Sequence, residues 1–313
     1  MPPRYLRVSV TGRCNLRCCY CRPEGPCDAD LVPEFTPGEI STLVQGAAAE
    51  GVRKVRLTGG EPLLRDDLED IVGAISAVPG IEKTTLTTNA IGLSQRAAGL
   101  RSGGLQSVNV SLDTLRPERF AAITGGDMHA DVLAGIEAAV DVFDVVKLNC
   151  VLLRGVNDDE IEALVEFAAR RGGWIRFIER YQSRCVATVD HCVPAAEVKQ
   201  RLRESFGPLE AMPAAKLSVE ETYVLPSAGG VKVGLIASVT HPPCERCTKL
   251  RFTASGELRP CLFADWGVDV APLLRRGDLA ALRAAMRHVF AHKRRSRPSP
   301  SSVVPDPISH IGG

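Results

Sequence analysis

The chain has 313 residues, of which 45% are hydrophobic, and a formal net charge of +1. This size allows one large domain with an appendage or two domains, and the near-zero charge excludes a general attraction to nucleic acid or anionic membranes. No apolar run reaches membrane-spanning length, so we expect a cytoplasmic protein whose 11 cysteines serve metals more than disulfides.

Strand and helix patterns alternate through the first 180 residues. Strands are predicted at residues 5–11, 53–58, 83–88, 107–112, 145–153 and 174–179. Helices are predicted at residues 37–51, 66–78, 93–100, 132–142 and 159–171. Six strand–helix repeats with short links indicate a parallel sheet, doubly wound or an incomplete barrel, with ligands at the carboxyl ends of the strands.

The pattern changes near residue 181 to a smaller region with both helices and antiparallel strands. After an irregular segment at 182–193, it predicts a helix at 194–203, strands at 219–225 and 231–237, a hairpin of 250–253 with 257–262, and a basic helix at 273–292. Residues 293–307 are rich in Ser, Pro and Arg and are expected to bury little on their own. We divide the chain into residues 1–180, 181–293 and a flexible tail at 294–313.

Cys14, Cys18 and Cys21 form a C-x3-C-x2-C pattern just after the first predicted strand. Three thiolates from one loop can bind three irons of a cubane iron–sulfur cluster, leaving the fourth iron open to another ligand. Crowding beside the adjacent Cys19 disfavours a disulfide, and a zinc site normally takes a fourth ligand. The loop therefore indicates a cluster with an open catalytic iron.

A second set, Cys244, Cys247 and Cys261, has C-x2-C-x13-C spacing, and the predicted hairpin returns the third thiol to the first two. Three thiolates again suit a cluster with one open iron. Structural zinc completed by His241 is the alternative, and residue chemistry alone leaves both open.

These features resemble the radical S-adenosylmethionine (SAM) superfamily and, within it, the GTP 3′,8-cyclase family, which starts molybdenum cofactor biosynthesis. Besides the two cysteine sets and the terminal Gly312-Gly313, the resemblance rests on residues 6–11, 57–65, 86–89, 109–113 and 176–179. It implies an α/β fold, namely an incomplete (β/α)6 TIM-like barrel closed by a C-terminal α+β region that carries a second iron–sulfur cluster.

The resemblance implies that Cys14, Cys18 and Cys21 hold a 4Fe–4S cluster whose open iron binds SAM, and that reductive cleavage of SAM gives a 5′-deoxyadenosyl radical. The implied SAM-binding residues are Tyr20, Gly59, Gly60, Glu61, Thr88, Ser111 and Asn149. Glycines permit close backbone approach, and the acid can face the SAM ammonium group. Turn geometry or local backbone bonding is the alternative for each, and for Thr88 it is favoured.

The resemblance also implies a set of bases that bind the GTP triphosphate: Arg7, Lys54, Arg56, Lys147, Arg176, Lys249 and Arg251. Most lie on predicted strands, where buried charges need partners, and a polyanion requires several bases. Taken singly, each of these basic residues could instead lie on the outer surface or in a salt bridge. Lys249 stands where the family usually has arginine, so it keeps the charge but loses the planar fork.

In the family, the second cluster, here on Cys244, Cys247 and Cys261, binds the guanine base. The adenosyl radical removes hydrogen from the ribose 3′ carbon, and the sugar radical then attacks guanine C8. Placement of the adenosyl radical against its target hydrogen provides most of the catalysis of the first step. The terminal Gly312 and Gly313 are implied to reach into this site as catalytic residues. A reductant such as flavodoxin or ferredoxin is the implied electron donor, and a homodimer is left open.

Several residues depart from the family pattern. Arg22 replaces the usual methionine, Ala90 replaces a glycine, and residues 180–185 replace a Met-Pro-type segment. These differences leave open a paralogue acting on another nucleotide or nucleoside; a peptide-modifying radical SAM enzyme with an auxiliary cluster is a further alternative. The remaining cysteines are expected to be unpaired thiols, with Cys150 buried: Cys19, Cys27, Cys150, Cys185 and Cys192.

Overall fold

The computed structural model describes residues 3–22, 33–181, 192–213, 220–242, 244–293 and Val304. The strands are β1 Tyr5–Ser9, β2 Lys54–Thr58, β3 Lys83–Thr88, β4 Ser107–Ser111, β5 Val146–Leu152, β6 Trp174–Glu179, β7 Glu210–Ala211, β8 Glu221–Leu225, β9 Val231–Ile236, β10 Lys249–Phe252, β11 Glu257–Arg259 and β12 Val268–Asp269. The helices are α1 Pro37–Ala49, α2 Leu68–Ser76, α3 Leu93–Ser102, α4 Pro117–Thr124, α5 His129–Val142, α6 Ile161–Ala169, α7 Ala195–Phe206, α8 Ala271–Arg276 and α9 Leu279–Ala291. Short 3-10 turns cover Pro62–Leu64, Asp158–Glu160, Pro226–Ala228 and Cys244–Arg246.

Across the described residues, the strands form one sheet of 12 strands in the order β12-β11-β10-β1-β2-β3-β4-β5-β6-β9-β8-β7. The six strands β1 to β6 are parallel, and β10 and β9 add to their two outer edges, also in parallel. The sheet does not close on itself. The predicted incomplete barrel is therefore confirmed, and the C-terminal region extends it at both edges.

The register of β1 with its two neighbours aligns basic residues. Arg7 stands opposite Arg56 on β2 and Arg251 on β10. Two residues earlier, Tyr5 stands between Lys54 and Lys249. Because residues two apart share a face of a strand, all six side chains belong to one face of the sheet.

The opposite face packs against the helices and forms the core. On β1, Leu6 and Val8 are fully buried, as is Leu57 on β2. The first helix, α1, begins with a capping box, in which the Thr36 hydroxyl accepts from the backbone N–H of Glu39 and the Glu39 carboxylate accepts from that of Thr36. This layering gives every strand of the barrel one apolar face and one face for a site.

One helical prediction fails, and one helix has no counterpart among the predictions. The single basic helix predicted at 273–292 is wrong, since Gly277 adopts a left-handed φ of 65° and ends α8. Asp278 then caps α9 by accepting from the Ala281 backbone N–H at 2.9 Å. The short helix α4 was not predicted, because its apolar pattern spans little more than two turns.

The burial of Cys150 is confirmed, whereas the expectation that residues 293–307 bury little does not hold for Val304. Cys150 is buried, as predicted. Val304, in the segment expected to bury little, is also buried and packs with Leu262. Cys27, Cys185, Gly312 and Gly313 lie outside the described residues. In the parts of the chain that are described, no helix is both long and apolar enough to cross a bilayer.

Candidate active site

A cavity of about 520 Å³ lies against the face of the sheet that carries Tyr5 and Arg7. It is lined by every residue predicted to bind SAM, by every base predicted to bind GTP, and by the thiols of the first cysteine set: Cys14, Cys18, Cys21, Tyr20, Gly59, Gly60, Glu61, Thr88, Ser111, Asn149, Arg7, Lys54, Arg56, Lys147, Arg176, Lys249 and Arg251. The structure thus brings these three sets into one space. Cys244, Cys247 and Cys261 are not among the lining residues, although Leu262 is.

The first cysteine loop is fixed by backbone hydrogen bonds. Cys18 accepts from the N–H groups of Cys21 and Arg22 at 2.9 and 3.0 Å, and Cys19 donates to the Ile123 carbonyl at the end of α4 at 2.9 Å. Burial raises the pKa of Cys14 to about 11 and raises that of Cys18 well above its ordinary range. Protonated, partly buried thiols from one loop fit a cluster that displaces their protons when it binds.

The glycine loop after β2 docks onto the backbone that leads into the cysteine loop. Gly60 donates to the Thr11 carbonyl at 2.8 Å and Glu61 to the Arg13 carbonyl at 2.7 Å. A Cβ at Gly59 would lie 2.5 Å from the Thr11 oxygen, and one at Gly60 would lie 2.0 Å from that of Arg13. These glycines therefore let two loops touch, in addition to any approach they give a ligand.

Glu61 is held by internal partners. Its carboxylate accepts from the Thr88 hydroxyl at 2.6 Å and from the backbone N–H groups of Leu63 and Asn89 at 2.9 and 2.6 Å. Burial raises its pKa to about 7. The Thr88 hydroxyl also accepts from the Ala90 N–H at 2.9 Å. These are local bonds of the kind considered as the alternative for Thr88, and they join the glycine loop to the loop that follows β3.

Tyr20 is positioned by Asp113, a residue that sequence reasoning did not select. The Tyr20 hydroxyl donates to one Asp113 oxygen at 2.6 Å, and the Val151 N–H donates to the other at 2.8 Å. Burial raises the pKa of Asp113 to about 6 from its ordinary 3.8. Its position at the end of the family-like segment 109–113 was the available signal.

At the other end of the cavity, cations surround the ring of Tyr5, which sequence reasoning also missed. The distances from the ring centroid are 4.9 Å to Lys54 Nζ, 5.8 Å to Arg56 Cζ and 5.6 Å to Lys249 Nζ. Burial alone would raise the Tyr5 pKa, but the charges of Arg56 and Arg7 outweigh it and lower the pKa. The ring face offers these cations partial stabilisation in a site rich in like charges.

Burial also weakens the basicity of the cations around the cavity. It is the largest cause that lowers the pKa of Arg7 to about 9, of Arg176 to about 10, of Lys249 to about 8, and of Lys54 and Lys147 to about 7. Neighbouring positive charges lower these values further. A bound anion would restore protonation, so the electrostatics of this end fit a polyanionic ligand.

Glu220 reaches into this basic end just before β8. Its Oε2 lies 2.6 Å from Arg176 Nε and its Oε1 lies 3.3 Å from Lys147 Nζ. This contact was not predicted, because Glu220 stands at the start of a strand that was predicted only from its apolar alternation.

The second cysteine set borders the same basic end. Burial alone would raise the pKa of Cys247, but the charges of Lys293 and Lys249 outweigh it and lower the pKa. Lys293 also donates to the carbonyl of Pro260, which precedes Cys261. Lys293 therefore lies near the Cys247 thiol and contacts the backbone just before Cys261. Thiolates near positive charge are a donor set that fits an iron–sulfur cluster.

Among the described residues, no three His, Cys, Asp or Glu side chains converge closely enough to hold a single metal ion. This applies equally to both cysteine sets.

Two of the departures from the family pattern have structural explanations. Ala90 adopts a φ of 66°, the left-handed conformation that suits the glycine usual at this position. Arg22 is buried, and its Nη1 donates to the Gly12 carbonyl at 2.9 Å, which ties the end of the cysteine loop to its start. Tyr181 lines the cavity and donates to Ser238 at 2.8 Å, while residues 182–185 lie outside the described ranges.

Comparison with known proteins agrees with this geometry. The family model described as Radical SAM superfamily matches residues 8–168, and the one described as Molybdenum Cofactor Synthesis C matches residues 174–298. A relative named GTP 3′,8-cyclase from Pelotomaculum thermopropionicum is 44% identical over 292 residues, covering 89% of this chain and 88% of the relative. Another of that name from Moorella thermoacetica is 38% identical and covers 99% and 97%.

Among solved structures, SuiB of Streptococcus suis, determined with bound S-adenosylmethionine, matches with a TM-score of 0.70. The two chains are 15% identical over 95% of this chain and 69% of SuiB. At that identity, the likeness shows a common fold.

We expect Gly60→Ala to lower the free energy of unfolding by about 2 kcal/mol or more, because its Cβ would overlap the Arg13 carbonyl. Gly73→Ala, inside α2 with no atom within 4 Å of the added Cβ, is the matched control and should be neutral or slightly stabilising. Urea unfolding followed by circular dichroism measures both. Equal losses in the two variants would contradict the proposed contact between the loops.

The raised pKa of Asp113 predicts a pH-dependent loss of stability. Its carboxyl stays protonated in the folded protein up to pH about 6 but ionises in the unfolded chain near 3.8, so stability falls as pH rises between these values. The loss should approach about 3 kcal/mol relative to Asp113→Asn, which cannot ionise. Urea unfolding of both proteins from pH 4 to 7 tests this, and a constant difference would refute it.

Proposed function

The chain belongs to the radical SAM superfamily and, within it, to the GTP 3′,8-cyclase family, and we propose on this premise that it converts GTP to (8S)-3′,8-cyclo-7,8-dihydroguanosine 5′-triphosphate. This reaction is the first step of molybdenum cofactor biosynthesis. The observation that carries the proposal is one cavity, which is lined at one end by a three-thiol loop and at the other by a cluster of buried Lys and Arg side chains. One end suits a radical source, and the other suits an anionic nucleotide.

At the first end, an iron–sulfur cluster and SAM are the family's cofactors, and we propose Cys14, Cys18 and Cys21 as the cluster ligands. When bound, these cofactors supply the radical that removes hydrogen from the substrate. The protein contributes the placement: Gly59 and Gly60 allow the cysteine loop to dock, and Asp113 orients Tyr20 towards the cavity. The remaining proposed SAM contacts are Glu61, Thr88, Ser111 and Asn149.

At the second end, we propose that Arg7, Lys54, Arg56, Lys147, Arg176, Lys249 and Arg251 bind the triphosphate. The support is their common position around the cavity and the lowered pKa values that a polyanion would reverse. Fixed cations hold the nucleotide so that its sugar faces the radical source, which is how positioning accelerates a radical reaction.

We propose that Cys244, Cys247 and Cys261 hold a second 4Fe–4S cluster, which contacts the guanine base. The support is the position of this set: Cys247 comes two residues before Lys249, a cavity residue, and Cys261 directly precedes Leu262, another. A guanine base held there lies beside the cations that are proposed to bind the triphosphate of the same nucleotide.

The remaining assignments are proposals from family resemblance. Gly312 and Gly313 would complete the site as catalytic residues, and a reductant such as flavodoxin or ferredoxin would supply electrons. We place the reaction in the cytoplasm, where clustered thiols remain reduced, and leave a homodimer as a proposal. The proposed regions are the barrel at 1–180, the second-cluster region at 181–293 and the tail at 294–313; the two family models meet near the first boundary.

The activity test uses reduced, anaerobically reconstituted protein with SAM and GTP. We expect 5′-deoxyadenosine together with the cyclised nucleotide; 5′-deoxyadenosine without a GTP-derived product would refute the substrate assignment. Cys261→Ser should lose about half of the bound iron and stop cyclisation, while uncoupled SAM cleavage continues. Cys19→Ser, which changes an exposed thiol outside both sets, should retain iron and product. Loss of both activities in folded Cys261→Ser would contradict separate roles.

The lowered pKa values of the lysines predict that GTP binding takes up protons. Lys54 and Lys147 have pKa values of about 7, so above pH 7.5 they are largely neutral until the triphosphate favours their charged forms. We expect uptake of about two protons per GTP at pH 8, one for each lysine, and an affinity that falls from pH 7.5 to 9. Calorimetry in buffers of different ionisation enthalpy measures the uptake. Lys54→Arg, whose guanidinium stays charged, should reduce it; no uptake by the unmodified protein would contradict the assignment.

A further inference from the structure

The Glu220 carboxylate lies inside the basic end of the cavity, where the substrate's phosphates are proposed to bind. Its side chain is 7% exposed. Oε2 lies 2.6 Å from Arg176 Nε, and Oε1 lies 3.3 Å from both Arg176 Nη2 and Lys147 Nζ. The carboxylate therefore accepts hydrogen bonds from Arg176 Nη2 and Lys147 Nζ through Oε1, while Oε2 packs against Arg176 Nε.

Two features show that this contact is built into the fold. Gly234 on β9 stands opposite Arg176 on β6. A Cβ at Gly234 would lie 3.0 Å from Arg176 Cγ and 3.5 Å from Glu220 Oε2. The glycine thus leaves room for both partners. Burial alone would raise the pKa of Glu220, but the charges of Arg176 and Lys147 outweigh it and lower the pKa, so the group is a carboxylate at neutral pH.

A carboxylate and a phosphate use a guanidinium in the same way. Both place two oxygens against two N–H donors, so one edge of Arg176 holds one such anion at a time. A phosphate that takes this edge must displace Glu220, and a phosphate that stays elsewhere in the cavity meets the repulsion of a buried negative charge.

We propose that Glu220 is a specificity-determining residue that occupies the anion site of Arg176 and Lys147 and competes with the phosphate groups of the substrate. This inference rests on the proposed function, since it takes a nucleotide phosphate as the competing ligand. The carboxylate neutralises part of the basic end before substrate arrives and sets a threshold of negative charge that the substrate must exceed. Nucleotides with more phosphates overcome this threshold best.

The test compares Glu220→Gln with the unmodified protein in anaerobic, fully reconstituted form. Glutamine keeps the size of the side chain and removes its charge. We expect GTP to bind about tenfold more tightly to the variant, because its phosphate no longer has to displace a charged carboxylate from Arg176. Equilibrium dialysis with GTP, GDP, GMP and inorganic tripolyphosphate should show a gain for each ligand that is largest for GMP, because the ligand with the fewest phosphates displaces the carboxylate least readily.

Glu221→Gln is the matched control. Glu221 is the next residue along the chain and carries the same charge, but its side chain is 64% exposed and lies 3.7 Å from Lys199, which is not among the cavity-lining residues. Its affinity for GTP should equal that of the unmodified protein. An equal gain in both variants would show a general effect of net charge and overturn the proposal.

The outcomes separate this inference from the proposed function. If the unmodified protein binds GTP and Glu220→Gln binds it equally or more weakly, competition is excluded while the function stands. If neither protein binds GTP but Glu220→Gln gains affinity for tripolyphosphate, competition stands and the substrate assignment fails. Should Glu220→Gln not fold, Glu220→Asp, whose shorter side chain withdraws from Arg176, decides: tighter GTP binding supports competition, and unchanged or weaker binding overturns it.

Discussion

The crowding of like charges on one face of the sheet is the constraint on which the rest of the site depends. Parallel register places Arg7 between Arg56 and Arg251, and the two-residue period of a strand brings the lysines beside Tyr5 to the same face. Burial and mutual repulsion make this arrangement costly without an anion. The Tyr5 ring and the Glu220 carboxylate relieve part of that cost, and a polyanionic nucleotide would relieve most of the remainder.

The strand β1 links the two ends of the cavity. Its residues 5 and 7 belong to the basic end, and the backbone that follows it accepts the hydrogen bonds of the glycine loop before entering the cysteine loop. A short, centrally placed strand with neighbours on both sides is held rigidly. The distance between a radical source and an anion site is therefore set by the sheet rather than by flexible loops, which suits chemistry that relies on positioning.

Much of this architecture was predicted from the sequence, and the features that were not predicted were missed for physical reasons. Strands β1 to β6 were predicted within about two residues, because buried apolar alternation is a local signal. The parallel pairing of β10 with β1 and the contact of Glu220 with Arg176 join distant segments and leave no local trace. Glu61 lines the cavity and stays a proposed SAM contact. That its carboxylate also accepts hydrogen bonds from Thr88, Leu63 and Asn89 was not predicted, since these partners follow from its burial in the fold. The residues that the family resemblance implies for SAM and GTP border one cavity, and their roles stay predictions.

The central claim is that one cavity presents the ribose of a nucleotide to a radical source at its other end. GTP carrying deuterium at the ribose 3′ carbon tests this directly, with mass spectrometry of the 5′-deoxyadenosine formed by the reduced, reconstituted protein. The proposed function predicts that each turnover transfers one deuterium into 5′-deoxyadenosine. Turnover that yields cyclised product with unlabelled 5′-deoxyadenosine would contradict this arrangement of the site.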